Sequence, residues 1–278
     1  MNLDQLKEHD ISLVVTDLDG TLLMPGALVG PRTKEAVKRF LDAGNHMIIA
    51  TGRPTPFAEE IRRELDPRLD LLTFNGAALS LTGEPHQNHP FPQGQIQAMA
   101  PFLEDFPGEF FLKTARRIYA LREKTGIFTY PENVMPKVEA MSLAELPDLG
   151  EDPILKVLCF SEDPLAVEIL KSQLRTLGTF TWTEYQNKGF ELVRGDRNKG
   201  VALKEALDRL GIPREKTLAV GDGENDLDLF RAAGLGIAMG NAVEALKAVA
   251  GGITASNEEE GVAHLLEHLL TLNSRKER

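Results

Sequence analysis

Two aspartates separated by one residue follow the first apolar run of the chain. Asp17 and Asp19 lie within Asp-Leu-Asp-Gly-Thr, directly after residues 11–16, which are short, rich in β-branched side chains and nearly all apolar. Such a run predicts a buried parallel strand, and open α/β sheets bind their ligands at the carboxyl ends of the strands. The pattern therefore delivers two carboxylates to the place where such folds carry out chemistry.

Two carboxylates held this close repel each other. At a separation of about 5 Å and an effective dielectric constant of about 20, the repulsion is roughly 3 kcal/mol. A shared proton, a bound cation, or distance and water must offset it, and Mg²⁺ is the natural cation for a site built from oxygen ligands. For this motif alone, the alternative is that both aspartates cap the following turn.

Further segments place polar residues at the end of a predicted strand or the start of a predicted helix. These residues are Thr51 and Gly52 after the run 46–50, Lys199 at the beginning of helix 198–210, and Asp222, Asn225 and Asp226 after the run 217–220. The helix dipole does not explain a lysine at a helix start, so Lys199 is either a ligand for phosphate or carboxylate or a solvated surface residue. A calcium loop that begins at Asp222 is excluded, because its sixth position is a leucine rather than glycine.

Strand and helix patterns alternate in the first 82 residues and again after residue 188. This order predicts right-handed crossovers and a parallel sheet covered on both faces. The intervening stretch differs, with strand candidates at 109–112, 117–122, 154–160 and 180–185 and a helix near 165–177. The prediction is an α/β protein in which residues 1–82 and 188–278 form a Rossmann-like core, with a second domain inserted at residues 83–187. Linkers at 81–85 and 187–190 are the predicted hinges.

Composition restricts the classes of partner. The chain has 278 residues and a formal net charge of -11 without a basic run, which disfavours nonspecific nucleic-acid binding and anionic membrane surfaces. The first ten residues lack the pattern of a signal peptide, and no apolar stretch is long enough to span a bilayer. A cytoplasmic enzyme is expected, with no indication of oligomeric state. The single cysteine, Cys159, lies in an apolar run and is predicted to be a core residue.

Taken in order, these motifs resemble the haloacid dehalogenase-like superfamily of aspartate-nucleophile phosphatases, and most closely its Cof-type branch with a large α/β cap. The matching segments, which span nearly the whole chain, are Asp17-Leu-Asp19-Gly-Thr21, Thr51-Gly-Arg53, Asn75-Gly76, Lys199-Gly-Val-Ala-Leu203, Gly221-Asp-Gly-Glu-Asn-Asp226, Ala238-Met-Gly-Asn-Ala242 and Ser256-Asn-Glu-Glu-Glu-Gly-Val-Ala263. Any one of these segments is modest support, but the four motifs that begin at Asp17, Thr51, Lys199 and Gly221, in this order and with an insertion between the second and the third, are specific.

The resemblance implies a Mg²⁺-dependent phosphatase that works through an aspartyl-phosphate. By resemblance, Asp17 attacks phosphorus, and Asp19 protonates the departing oxygen and then activates water. The implied metal ligands are Asp17, the backbone carbonyl of Asp19, and Asp222, with Asp226 as an additional or supporting ligand. Thr51, Gly52, Lys199 and Asn225 are the implied phosphate-binding residues. The inserted domain would be a cap that excludes water and selects substrate.

The resemblance leaves the substrate and part of the chemistry open. The implied substrates are small phosphorylated metabolites, namely sugar phosphates, nucleotides or cofactor phosphates. A phosphotransferase or mutase on the same scaffold, and a noncatalytic metabolite-binding protein, are the alternatives. Arg53 is predicted to form a surface ion pair and Asn75 a turn. Among the cations of the inserted segment, the candidates to reach a substrate are Arg116, Arg117 and Lys188.

Overall fold

The computed structural model describes residues 3–121, 138–140, 142, 152–185 and 188–276. Within these ranges the strands are β1 (Leu13–Thr16), β2 (His46–Ala50), β3 (Asp70–Thr73), β4 (Ala78–Ser80), β5 (Gln87–Asn88), β6 (Glu109–Lys113), β7 (Ile118–Ala120), β8 (Val138–Ala140), β9 (Lys156–Phe160), β10 (Phe180–Tyr185), β11 (Gly189–Arg194), β12 (Thr217–Gly221), β13 (Leu235–Ala238) and β14 (Gly252–Ile253). The α-helices are α1 (Pro31–Asp42), α2 (Thr55–Leu65), α3 (Gln93–Leu103), α4 (Pro164–Arg175), α5 (Lys199–Leu210), α6 (Leu227–Ala232), α7 (Glu244–Lys247) and α8 (Gly261–Lys276).

The larger sheet has the strand order β14-β13-β12-β1-β2-β3-β4-β5. Its strands from β14 to β3 are parallel, and β4 and β5 add an antiparallel edge. Strand β1 is central, pairing with β12 on one side and β2 on the other. Because all three run the same way, the residues that follow them emerge at the same edge of the sheet.

Local sequence explains the elements that surround this edge. All four residues of β1 are buried, as expected for a strand covered on both faces. Helix α1 begins with Pro31, whose missing N–H costs nothing at the first helical position. Helix α5 is preceded by its N-cap Asn198, whose side chain accepts a hydrogen bond from the Val201 N–H at 2.7 Å, and it is followed by Gly211 in the left-handed conformation.

The smaller sheet has the order β10-β11-β9-β6-β7-β8 and is formed by a segment that lies between β5 and α5 in the chain. Side chains from one of its faces form an apolar core with helices α3 and α4. Cys159 is buried in that core as a free thiol, as predicted. The opposite face carries Lys113, Lys156 and Glu191, which line the central cavity of the molecule.

The predicted α/β class, with a Rossmann-like parallel core and an inserted α/β segment, is confirmed. The sheets divide at slightly different residues from the predicted boundaries. Strand β5, at 87–88, still pairs with the larger sheet, and β11, at 189–194, still belongs to the smaller one. The division into core and cap, with hinges at the linkers, stays a prediction, and Asn187 of the second linker lies outside the described residues.

Several element boundaries differ from the sequence-based ones, and some elements were not predicted. Strand β1 begins at Leu13 rather than at residue 11, and β9 begins at Lys156 rather than at residue 154. Helix α3 was missed because it contains and follows prolines. Pro92 sits at its N-cap, where proline is tolerated, and Pro101 lies in its last turn, where the missing N–H removes one hydrogen bond of the helix. No helix in the described part of the chain is both long and apolar enough to cross a membrane.

Candidate active site

The predicted segments converge at the carboxyl edge of the larger sheet, beneath the smaller one. A cavity of about 1160 Å³ lies there. Of the predicted site residues, the cavity lining includes Asp17, Asp19, Gly52, Lys199, Asp222 and Asn225. Thr51 and Asp226 are fully buried directly behind this lining. The parallel topology thus brings together residues that are up to about two hundred positions apart in the chain.

A buried lysine joins two of the aspartates. The Nζ of Lys199 lies 2.9 Å from Oδ1 of Asp17 and 2.7 Å from Oδ1 of Asp226. Burial lowers the pKa of Lys199, but the negative charges of Asp17 and Asp226 outweigh burial and raise it overall. Lys199 is therefore a permanent cation at the floor of the cavity. The alternative of a solvated surface lysine is wrong, because its side chain is only 1% exposed.

Asp222 is held in place by the loop that follows β1. The hydroxyl of Thr21 donates to its Oδ1 at 2.7 Å. Gly20 has φ +72°, and a Cβ placed there would lie 2.3 Å from Oδ2 of Asp222, so only glycine permits this approach. Asn241, in one of the late motifs, supports the same loop by donating to the Gly20 carbonyl at 2.8 Å.

Asp226 organises the loop after β12. Its Oδ2 accepts hydrogen bonds from the N–H groups of Asp222 and Gly223, each at 3.1 Å, while its Oδ1 faces Lys199. Both of its oxygens are thus already engaged by the protein. This arrangement favours a supporting role for Asp226 over direct coordination of a cation.

The acidic cluster has the donor set of a hard divalent cation. Asp17, Asp222 and Asp226 each place a carboxylate oxygen within 4.8 Å of the other two. Burial raises the pKa of Asp17 to about 8, with Lys199 opposing and Asp226 adding to the shift, and burial also raises the pKa of Asp222. The direction of both shifts indicates that the surrounding protein only partly offsets the burial of these two carboxylates. A cation bound by oxygen ligands would supply the missing charge, and the residues present fit one.

The loop after β2 forms a second wall of the cavity. Within it, the Arg53 N–H donates to Oγ1 of Thr51 at 3.0 Å. The guanidinium of Arg53 donates to both oxygens of Asp19, one of them at 2.7 Å, so the predicted ion pair forms with a site residue. Asn75 does form a left-handed turn, with φ 53°, but it also lines the cavity. Its buried Oδ1 has no hydrogen-bond partner among the described residues.

Sequence reasoning missed the cavity residues of the smaller sheet. The cavity lining includes Lys113, Lys156 and Glu191, whereas Arg117 pairs with Glu139 and Lys188 with Glu162. Arg116, Arg117 and Lys188 do not belong to the lining formed by the described residues. One signal in the sequence could have identified these lining residues, namely a charged side chain in an otherwise apolar strand. Lys156 in Lys-Val-Leu-Cys-Phe is an example.

Comparison with known proteins identifies one family over nearly the whole chain. Residues 14–266 match the family model described as haloacid dehalogenase-like hydrolase. The chain is 28% identical to the 5-amino-6-(5-phospho-D-ribitylamino)uracil phosphatase YitU of Bacillus subtilis, with 94% of this chain and 98% of that protein covered.

Solved structures agree with the sequence comparison. A haloacid dehalogenase-like hydrolase from Bacteroides thetaiotaomicron superposes with a TM-score of 0.80 at 26% identity, covering 93% of this chain and 99% of that one. The subclass IIB sugar phosphatase BT4131 superposes with a TM-score of 0.77 at 25% identity, covering 92% and 98%. Each comparison spans nearly the full length of both chains, so the similarity includes both sheets.

Proposed function

Because the chain belongs to the haloacid dehalogenase-like hydrolases and is a phosphatase, we propose that it hydrolyses small phosphorylated metabolites with Mg²⁺, through an aspartyl-phosphate on Asp17. The observation that supports this most directly is the position of the Asp17 carboxylate. It lines the cavity with one oxygen 2.9 Å from the Lys199 ammonium, and it lies beside Asp222. A carboxylate that can act as the nucleophile, a fixed cation and a donor set suited to a metal ion thus lie on one surface, which supports the proposal.

In the proposed first step, a carboxylate oxygen of Asp17 forms a bond to phosphorus while the phosphorus–ester oxygen bond breaks. Asp19 gives its proton to the departing oxygen, and the alcohol leaves. In the second step, water attacks the phosphorus of the aspartyl-phosphate and gives a proton to Asp19. Inorganic phosphate leaves and Asp17 is restored as a carboxylate. The carboxyl groups of Asp17 and Asp19 line the same cavity, as these two reaction steps require.

The surrounding residues would bind the phosphoryl group and its developing charge. Lys199 presents a buried ammonium to the cavity, where charge interactions are stronger than in water. Gly52 and Asn225 line the same space and supply polar groups from two different loops. Thr51 is buried next to this lining, and its hydroxyl oxygen accepts the Arg53 N–H, which leaves the hydroxyl proton to donate toward the phosphoryl group.

Mg²⁺ would be held by Asp17, Asp222 and the backbone carbonyl of Asp19, with Asp226 supporting Asp222 and Lys199. When bound, the cation supplies positive charge that draws a phosphate dianion into an acidic pocket and stabilises the transferring group. The pocket needs such a charge. Seven carboxylates and four cationic side chains line it, a formal excess of three negative charges.

The same charge balance favours a substrate with one phosphate and an otherwise neutral body. Hydroxyl groups would find both acceptors and donors in the part of the cavity lined by the smaller sheet, among them Glu191 and Thr183. We therefore favour a sugar or polyol monophosphate among the possible metabolites. The names of two relatives, a ribitylaminouracil phosphatase and a sugar phosphatase, support that class. We also propose that the smaller sheet acts as a substrate-selecting cap and that the enzyme is cytoplasmic.

A panel of phosphorylated metabolites, assayed for inorganic phosphate with Mg²⁺ and with a chelator, tests the proposal. We expect metal-dependent release without any added acceptor, which also distinguishes hydrolysis from transfer to a sugar. Asp17→Asn should abolish turnover, while Asp228→Asn, the same change at another lining residue, should retain it. Wild-type turnover in the Asp17→Asn variant would show that the nucleophile is misassigned, and no release by the wild type would contradict the proposed function.

A further inference from the structure

Three charged side chains of the smaller sheet are buried on the face that lines the cavity. They are Lys113 on β6, Lys156 on β9 and Glu191 on β11, each at most 6% exposed. Lys113 and Lys156 are direct neighbours across the β6–β9 pair. Burying charge costs free energy even when the charges are paired, so a buried cluster of this kind adds little to stability and calls for another explanation.

Lys156 reaches from the smaller sheet to the loop after β2. Its Nζ donates to the carbonyl oxygen of Gly52 at 2.8 Å and also forms an ion pair with Glu191. Glu191 in turn lies 3.5 Å from the Nζ of Lys113 and accepts a 3.5 Å contact from Asn75 Nδ2. The Lys156 ammonium is therefore shared between a carboxylate of the smaller sheet and the backbone of the proposed phosphate-binding loop.

The Gly52 carbonyl belongs to the same peptide unit as the Arg53 N–H. In a trans peptide these two groups point in opposite directions, so fixing one fixes the other. The Arg53 N–H donates to the hydroxyl oxygen of Thr51. With that oxygen acting as an acceptor, the hydroxyl proton of Thr51 is left to donate elsewhere. Rotation of this peptide changes ψ of Gly52 and φ of Arg53. Glycine allows a wider range of ψ than residues with a Cβ, so an anchor on the Gly52 carbonyl restricts that rotation.

We propose that Lys156 is a positioning residue for the phosphate-binding loop: anchored by Glu191, it holds the Gly52–Arg53 peptide so that the Thr51 hydroxyl donates toward the phosphoryl group. This inference rests on the proposed phosphatase function. It implies that the loop is complete only while the smaller sheet is docked over the cavity. Phosphate binding and closure of the substrate-selecting face are then coupled through one side chain.

Glu191 has a specific part in this arrangement. Burial lowers the pKa of Lys156, and the charge of Glu191 opposes that shift. Glu191 thus helps to keep Lys156 a charged donor to the Gly52 carbonyl. Lys113 shares the same face and the same carboxylate, while the bond to Gly52 comes from Lys156. Lys113 is therefore a matched control for the effect of removing a buried lysine.

The test compares Lys156→Met with Lys113→Met, and Glu191 stays in place in both. Each variant removes one buried cation and leaves Glu191 paired with the other lysine, so the loss of stability should be similar in the two. We expect the Lys156 variant to raise the inhibition constant of inorganic phosphate by about tenfold or more relative to the Lys113 variant, the effect of one charge-assisted hydrogen bond. The KM values for p-nitrophenyl phosphate and for glycerol phosphate should rise by the same factor, because the phosphoryl group is common to both.

Two results would overturn the proposal. Inhibition constants for phosphate within twofold of each other would show that Lys156 does not act on the loop. A factor that differs between the two esters would instead assign Lys156 to recognition of the organic part. Thermal unfolding of both variants establishes that they are folded before the comparison is made.

Crystal structures of the two variants give a readout that does not depend on activity. We expect the Gly52–Arg53 peptide to be rotated in the Lys156 variant and retained in the Lys113 variant. A retained peptide in both would overturn the positioning role. If the wild-type protein hydrolyses no phosphate ester, the proposed function fails, but the peptide orientation still decides whether Lys156 positions this loop.

Discussion

Arg53 donates hydrogen bonds to both carboxylate oxygens of Asp19, through its Nε at 2.7 Å and through one terminal nitrogen. The guanidinium also lies over the ring of Phe57, with its central carbon 3.8 Å from the ring centroid. Arg53 is thus fixed on two sides, and it fixes Asp19 in turn. Each Asp19 oxygen keeps a second lone-pair site, and a proton carried there is the one that Asp19 would give to an ester oxygen in the proposed reaction.

Asp19→Asn should separate the two steps of the proposed reaction. An alkyl phosphate has a poor leaving group that needs a proton, so its turnover should fall by about a hundredfold or more, within the range of general acid catalysis. p-Nitrophenyl phosphate needs no such proton, so it should still phosphorylate Asp17. Its hydrolysis should then stall, giving a burst of nitrophenol that equals the enzyme concentration, as measured by stopped-flow absorbance.

Glu224→Gln is the matched control, because Glu224 is another carboxylate on the lining of the cavity. It should leave alkyl phosphate turnover within about twofold of wild type, as expected for an exposed residue without a catalytic role. Equal losses for the alkyl and nitrophenyl esters in Asp19→Asn, without a burst, would contradict the acid and base role of Asp19.

Gly20→Ala should impair the metal site specifically. The new Cβ would lie 2.3 Å from Asp222 Oδ2, so Asp222 must move, and displacing a site residue by about 1 Å can cost a hundredfold in rate. Gly26→Ala is the matched control. Gly26 also has positive φ, at +80°, but its nearest neighbour beyond the adjacent residues is 3.9 Å away.

Both alanine variants should lose about 1–2 kcal/mol of stability from the left-handed backbone. Only Gly20→Ala should require a much higher Mg²⁺ concentration for half-maximal activity, which a metal titration of phosphate release measures. If the two variants had the same metal dependence, the close approach of Gly20 and Asp222 would have no role in metal binding.

The cluster at the carboxyl edge of the larger sheet could be predicted because its residues follow buried strands. Asp17 and Asp222 come directly after runs with an unmistakable apolar pattern, and parallel strands bring their ends together whatever lies between them. Lys199 was identifiable because the helix dipole disfavours a cation at a helix start. In each case the residue is identified by a short stretch of sequence, and the parallel order of the strands brings these residues together.

The part of the cavity that is lined by the smaller sheet could not be predicted in the same way. The contact between Lys156 and Gly52 joins residues 104 positions apart and depends on how the smaller sheet docks on the larger one. The strand β11, which carries Glu191, was not recognised in the sequence at all. Alternation in β9 could indicate that Lys156 shares a face with Leu158, but it gives no information on what that face covers.

Lys199→Met should destabilise the fold as well as abolish activity. The substitution leaves Asp17 and Asp226 buried without their shared cation, and breaking a buried pair in this way costs about 3–5 kcal/mol. Urea unfolding measures the loss. Lys204→Met, an exposed lysine on the same helix, should change stability by less than about 0.5 kcal/mol.

A second substitution sharpens the test of Lys199. In Lys199→Met/Asp226→Asn one of the two stranded charges is removed, so part of the lost stability should return while activity stays absent. A Lys199→Met protein as stable as wild type would mean that the buried ion pairs described here do not persist in solution.

Lys113 should make stability depend on pH in the alkaline range. Burial lowers its pKa from 10.5 to about 8, with Glu191 opposing the shift. Between these two pH values the unfolded chain binds a proton that the folded protein does not, so the free energy of unfolding contributed by this group rises with pH. The shift corresponds to roughly 3 kcal/mol, absent below pH 8 and fully present above pH 10.5.

The difference in unfolding free energy between wild type and Lys113→Met isolates that contribution, because most other groups titrate alike in both proteins. Urea unfolding at intervals from pH 7 to pH 11 should show wild type gaining stability relative to the variant across the window between about 8 and 10.5. A difference that stays flat would mean that Lys113 keeps an ordinary pKa. A difference that falls with rising pH would mean that Glu191 outweighs burial, and the face that lines the cavity would then carry a permanently charged Lys113.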